Sequence, residues 1–519
     1  MSKSTHSGKT AVIVMVCTLL SRLMGMVRNA VLMTIFGAGQ TTDVIISALN
    51  VPNNLRKMMA EGALSAAFIP VFTKALTQKD ESDKRILNSV IAFQIFAIGA
   101  FCALSIIFAK PLITVVLTEF KDPAQIDLAV RLFRWFIGYI LLISLSATFM
   151  GVLNANDIFV IPALTPLIFS FTVIPSLILF HKTLGPYSLV LGVLTGGFGQ
   201  VLFQLPKVMK LGYRPRPVID FNYPDFISVI RRWLPVILTS SVMFINQTVA
   251  TRFATGLGEG SATALSNAII FWQVPFGIIT ASVSTVLFPE MSRKAAKKDW
   301  EGLGDSIGYG LRFLLIFLVP SIIAFLLFGK EIIAVVYLGG HFTISDVMKT
   351  FYVLSGYTAG LFFAGAFIFL QRPLYSSGKY RITFYISIII CTIDITLSFF
   401  LKSTFLGVAG LSISNSISYT FGFFMYVFYI SKNVCRIPAK PVFITLLKTI
   451  IPGIALILGL ISAKLLFGSW WENGRTLLNF CILLGTVIVF AAIVFGLFYV
   501  EKESIVQSMF KRRLKKESL

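Results

Sequence analysis

Apolar runs of about 20 residues recur from one end of the chain to the other, separated by short loops that gather the polar and charged positions. Runs of that length cross a hydrocarbon layer as helices, and the chain lacks the short alternating segments of a transmembrane barrel. In order they predict fourteen spans, at 10–36, 42–60, 86–108, 128–152, 158–181, 186–206, 226–255, 262–288, 307–328, 346–371, 381–401, 405–430, 443–466 and 477–499. Between the second and third, residues 61–76 are apolar but short, which reads as a partial or re-entrant helix. The first run continues past Arg28 to Ile35 without a small-x-small cleavage pattern, so it is expected to span rather than to be removed as a signal peptide. The expected fold class is an all-α polytopic membrane protein.

Two stretches line up along this pattern. FGAGQTTDVIISALNVPNNLR…LSAAFIPVFTKAL pairs with ATGLGEGSATALSNAIIFWQVP…ASVSTVLFPEMSRKAA, matching Pro52 with Pro275 and Pro70 with Pro289. The offset is about 220 residues, or six spans. An even number of spans gives both copies one topology, so they form a parallel repeat with an axis along the membrane normal. The expected organisation is an N-terminal lobe at 1–208, a second six-helix lobe at 209–432, and two further spans with a basic tail at 433–519.

Composition agrees with the membrane reading: 56% of residues are hydrophobic and 13% charged, against about 25% charged in soluble domains. The net charge of +22 would suggest nucleic acid in a soluble protein. Here the basic residues crowd the loops after even-numbered spans (TKALTQKDESDKR, PKVMKLGYRPRP, SRKAAKKD, QRPLYSSGKYR, SKNVCRIPAK), with the neutral NANDI loop as the exception. By the positive-inside rule both termini are expected in the cytoplasm, and no nucleic-acid partner is expected. The five cysteines are scattered and form no CxxC pair, and the three histidines lie far apart. No HExxH, GxSxG or P-loop is present. Neither an enzyme, a cofactor nor a metal centre is expected, and without an ATPase motif transport must run on a gradient or downhill.

Residues 21–70 carry Arg22, Arg28, Asp43, Arg56, Lys57 and Glu61 in otherwise membrane-grade sequence. A charge near the bilayer centre costs about 2.5–3.5 kcal/mol on insertion scales, so this concentration reads as a hydrated, cationic substrate cavity. Arg22 and Arg28 stand about 9 Å apart along a helix and about 120° apart around it. Gly25 between them offers a bend that would turn both heads to one ligand. Guanidinium forks suit phosphate oxygens. Asp43 reads either as a functional acid or as a helix N-terminal residue beside Thr42. Pro52 and Asn53 are expected to interrupt the second span, ahead of Arg56. Arg56 and Glu61 read equally as a structural ion pair or as members of a switch, while Lys57 is read as interfacial.

Further along, Asp394 is the clearest acid deep in a late span, and reads either as a cation or proton site or as a hydrogen-bonded packing acid. Arg252 in the seventh span is the one obvious cation that the second lobe offers to an anion. Arg131 and Arg134 are expected at the interface.

The order S-R-x-x-G-x-x-R, F-G-A-G-x-x-T-D, P-N-x-L-R and A-E-G-A-x-S-x-A-F-x-P resembles the MurJ (MviN) family of lipid II flippases, in the MOP exporter superfamily. It is carried by Ser21, Arg22, Gly25, Arg28, Phe36 to Gly39, Thr42, Asp43, Pro52, Asn53, Leu55, Arg56, Ala60 to Ala63, Ser65, Ala67, Phe68 and Pro70. Weaker similarity runs through Tyr139 to Ala147, Gln204-Leu205-Pro206, Phe288-Pro289 and Ala409 to Ser412. The resemblance implies two lobes that alternate between inward- and outward-open states. It implies flipping of an undecaprenyl-pyrophosphate-linked peptidoglycan precursor to the outer leaflet of the bacterial cytoplasmic membrane. It further implies that Arg22, Arg28 and Arg56 hold the pyrophosphate, that Asp43 and Glu61 are functional acids, and that the last two spans form a groove for the lipid tail. Lipid II, membrane lipids and cell-wall synthesis proteins are the implied partners.

Three positions depart from the family pattern. Asn29 stands where an Asp often follows the second Arg, Ile270 where an Arg is usual, and Ala250 near an acid that many relatives use for a cation. A sodium site is therefore not expected here, and the second lobe lacks its usual phosphate-side cation unless Arg252 replaces it. Two other readings compete: an exporter of another polyprenyl-linked oligosaccharide or other MOP-type substrate, and a transport-inactive membrane scaffold.

Overall fold

The computed structural model describes residues 2–58, 64–78, 80–471, 474 and 476–507. Among them the chain is helical from end to end. The helices are α1 (Ser2–Phe36), α2 (Gln40–Met58), α3 (Leu64–Gln78), α4 (Ser82–Ile107), α5 (Pro123–Ala155), α6 (Val160–Leu184), α7 (Tyr187–Lys210) and α8 (Pro224–Thr255). They continue with α9 (Ser261–Ala296), α10 (Trp300–Tyr337), α11 (Ile344–Ala359), α12 (Leu361–Ser376), α13 (Tyr380–Leu401), α14 (Val408–Asn433), α15 (Ala439–Lys448), α16 (Ile450–Trp471) and α17 (Leu477–Val500). A helix stands at each of the fourteen expected positions. Nine of the described helical stretches are long and apolar enough to cross a membrane, and ten if α11 and α12 form one bent span. The short segment after the second span is the 15-residue α3.

The tenth span is present but not straight: α11 and α12 meet at Gly360 with a bend of 48°. A Cβ on Gly360 would lie 2.6 Å from the Cα of Ser416, so α14 crosses too close for any side chain there. The expected break in the second span is corrected: α2 runs on through Pro52 and Asn53 to Met58. Proline removes one backbone donor, and in a bundle neighbouring side chains make good such losses. Here a polar network lies alongside. Asn54 Nδ2 donates to Asn50 Oδ1 at 3.0 Å, and Asn50 Nδ2 donates to Thr251 Oγ1 at 2.9 Å. Thr248 Oγ1 donates to Asn50 Oδ1 at 3.2 Å, fastening α2 to α8.

The chain forms two compact units, Met1–Ala262 and Thr263–Leu519. The first has an apolar core of Phe68, Phe72, Ile86, Val90, Phe149, Val152 and Phe226, drawn from α3, α4, α5 and α8. Helix–helix contact in lipid gains little from the hydrophobic effect, so small residues and buried polar bonds do more of the joining. Gly192 and Gly196 bring α7 against α6, and a Cβ on Gly192 would stand 2.7 Å from the Val173 Cα. Gln94 Nε2 donates to Thr148 Oγ1 at 2.7 Å, within a π-helical stretch of α4 at Gln94–Ile98. Gln204 Nε2 donates to Ser146 Oγ at 2.7 Å. The second unit buries Phe328, Leu456, Leu460, Val494, Phe498, Ile505 and Val506, so α16, α17 and the segment after α17 join α10.

Candidate functional site

Arg22 and Arg28 both lie on α1, which continues through Gly25 as one helix. A Cβ on Gly25 would meet nothing within 4 Å, so the glycine is not demanded by packing. Arg22 is exposed, and among the described residues no carboxylate pairs with it. Arg28 is half-buried, with its guanidinium carbon 5.0 Å from the centre of the Phe169 ring on α6. A cation seated on an aromatic face is stabilised by the ring quadrupole. Arg56 lies near the end of α2, but its side chain, like the whole of Glu61, is outside the described residues.

Asp43 opens the first turn of α2 and is 2% exposed. Its Oδ2 accepts the backbone N–H of Gly260 at 2.7 Å. Beside it the Gln40 N–H donates to Glu259 Oε1 at 3.2 Å, and a Cβ on Gly260 would lie 2.4 Å from the Ala38 carbonyl oxygen. The corner between α1 and α2 is thus bound to the connection after α8. A second strand of the chain joins there: the Glu119 N–H donates to Thr255 Oγ1 at 2.8 Å. Arg252, in the last turn of α8, approaches Glu119 at 3.8 Å. The structure therefore sets Arg252 beside a carboxylate at the helix end. Of the two readings of Asp43, it shows a buried acid in the first turn with a long-range backbone partner. Arg131 pairs with Asp127 at 2.8 Å and both side chains are more than half exposed, while Arg134 Nε donates to the Ile106 carbonyl at 3.3 Å.

In the second unit Asp394 is 4% exposed on α13. It accepts from Ser414 Oγ at 2.6 Å and Asn415 Nδ2 at 2.7 Å, both on α14. Ser398 Oγ stands 3.4 Å away. All three of these donors are neutral. Among the described residues no three His, Cys, Asp or Glu side chains cluster closely enough to hold a metal.

Two charged clusters escaped the sequence reading. Lys464 on α16 pairs with Glu331 on α10 at 3.1 Å and also donates to the Leu327 carbonyl at 2.7 Å. The Glu331 side chain is 8% exposed and its Oε2 has no hydrogen-bond partner among the described residues. The available signal was a lysine inside an apolar span, which needs a partner on another helix. Beyond α17, the buried Glu503 accepts from Arg312 and lies 3.4 Å from Lys448. Arg312 also donates to Thr445 Oγ1 at 2.8 Å, which holds α10, α15 and the segment after α17 together.

The family model described as lipid II flippase MurJ matches residues 32–481. The chain belongs to that family. A probable lipid II flippase MurJ of Borreliella burgdorferi is 32% identical over 487 residues, covering 94% of this chain and 95% of the relative. The lipid II flippase MurJ of Burkholderia cenocepacia is 25% identical, covering 96% and 98%. Among solved structures, a lipid II flippase MurJ in an inward closed conformation matches with TM-score 0.76 at 24% identity, over 97% of this chain and 99% of that one. An inward-facing multidrug resistance MATE transporter of the MOP superfamily matches with TM-score 0.66 at 14% identity, over 81% and 98%. At these identities the structural likeness establishes the fold. The chain is thus a multi-pass, all-helical membrane protein of a flippase family, a family of transporters rather than of catalytic enzymes.

Proposed function

We propose that this protein moves lipid II from the inner to the outer leaflet of the bacterial cytoplasmic membrane by alternating access, with no chemical step of its own. Arg22, Arg28 and Arg56 are assigned to the pyrophosphate, with Gly25 as the flexible point between the first two. The observation that carries the reading is Arg22. An exposed guanidinium on a membrane helix, with no carboxylate partner among the described residues, is costly unless an anion or water occupies its fork. Membership of the MurJ family supplies the substrate class.

The lobes are taken as 1–208 and 209–432, with 433–519 appended and both termini in the cytoplasm, as the loop charges favour. On that orientation the Asp43–Gly260 and Glu119–Thr255 bonds lie on the outer side, and they are among the bonds that part when the carrier opens outward. Asp43 is accordingly assigned to gating, and Glu61 is assigned as a functional acid from its place in the family motif. Asp394 and Arg252 are left outside the pyrophosphate site. The test is complementation of a flippase-depleted bacterium. Arg22→Ala should fail to restore growth at normal protein levels, and full growth with Arg22→Ala and Arg56→Ala alike would refute the site.

A further inference from the structure

The first two turns of α4 and the connection at 211–223 border an open groove of about 430 Å³, lined by Lys84, Leu87, Asn88, Tyr213, Arg214 and Arg216, with Gly212. Three of these are cations and none is an acid. The walls are fixed by long-range bonds. The Arg216 N–H donates to Asn88 Oδ1 at 3.0 Å, and the Tyr213 hydroxyl donates to Asp83 Oδ2 at 2.8 Å. Arg85 Nε donates to Asp220 Oδ2 at 2.7 Å, and its guanidinium lies 4.6 Å from the Tyr223 ring. Burial, reinforced by the Asp83 carboxylate, raises the Tyr213 phenol well above its ordinary pKa, so it remains a donor.

The local acids are largely used by these bonds. Asp83 serves Tyr213, Asp220 serves Arg85, and Glu81 pairs with Lys84 at 2.6 Å. Arg214 and Arg216 enter none of the ion pairs among the described residues. On the same connection Val218, Ile219 and Phe221 are exposed, Ile219 by 65%. The groove adjoins the start of α4 and the end of α7, both ends of helices long and apolar enough to span, so it stands at the level of a membrane surface. Cations in a groove beside exposed apolar side chains at that level match a lipid with a charged head and a greasy body, better than a soluble anion.

We infer that this groove binds the phosphate group of an anionic phospholipid, with Arg214 and Arg216 on the phosphate oxygens and Val218, Ile219 and Phe221 against the acyl chains. Arginine pairs with phosphate through two parallel bonds, which gives the site its preference for the charged headgroup. The site is separate from Arg22, Arg28 and Arg56. It rests on the membrane placement of the chain and not on its substrate, so a failure here would leave the proposed transport reading intact.

The test is native mass spectrometry of the purified full chain, titrated with phosphatidylglycerol, with phosphatidylcholine, and separately with inorganic phosphate. Phosphatidylglycerol should be retained in preference to phosphatidylcholine, and Arg214→Ala/Arg216→Ala should lower that occupancy by about fivefold or more. The single variants Arg214→Gln and Arg216→Gln carry the same test if the double variant does not fold. Equal phosphatidylglycerol occupancy in the variants would overturn the site. Displacement of the lipid by inorganic phosphate at matching concentration would overturn the lipid as its ligand.

Discussion

The Asp43 carboxylate accepts the backbone N–H of Gly260 at 2.7 Å, although the two residues are 217 apart in sequence. Both groups are buried, so the bond has no water to replace it. Removing the acceptor strands a backbone donor, at a cost of about 1–3 kcal/mol. Asp43→Ala should lower the melting temperature of the detergent-purified protein by several degrees. Asp43→Asn, which keeps an oxygen at the position, should recover most of the loss. Equal melting temperatures for all three proteins would mean that the bond carries no weight.

The Glu331–Lys464 pair joins α16 to α10 inside the apolar part of the second unit. Lys464→Met leaves a buried carboxylate alone. Breaking a fully buried pair costs about 3–5 kcal/mol, and the half-exposed lysine places this one nearer about 1–3 kcal/mol. Adding Glu331→Gln to Lys464→Met should restore stability toward the parent. A double-mutant cycle read by thermal unfolding gives the coupling, and a value near zero would show that the two charges are independent.

These pairings also mark the limit of what the sequence discloses. Helix positions were legible because each apolar run must satisfy its backbone internally, and the motif Arg22, Gly25, Arg28 was legible as charge where lipid disfavours it. The polar network beside Pro52 was not, because it joins Asn50 and Asn54 to Thr248 and Thr251, on two helices about 200 residues apart. Gly360 gave no warning of the close crossing there, since what its missing Cβ makes room for is Ser416 of another helix. Lys464 needed Glu331, 133 residues away, before its charge made sense. Local pattern fixes elements; partner choice between helices is set by packing.

Asp394 accepts hydrogen bonds from Ser414 and Asn415, and among the described residues no three His, Cys, Asp or Glu side chains cluster closely enough to hold a metal. Sodium should therefore stabilise the purified protein no more than potassium does at equal ionic strength. Asp394→Leu should destabilise it in either salt, because the Ser414 and Asn415 donors lose their acceptor. A sodium-specific rise in melting temperature that Asp394→Asn abolishes would contradict this.

The central claim is that the arginines of the first two spans hold the pyrophosphate of lipid II during transport. The most direct measurement is lipid II translocation by the purified chain in proteoliposomes, with Arg22→Ala and Arg22→Lys compared with the parent. The parent should move lipid II to the opposite leaflet, Arg22→Ala should lose at least about tenfold of that rate, and Arg22→Lys should lie between them. Translocation by Arg22→Ala at the parent rate, with equal protein in the vesicles, would contradict the account.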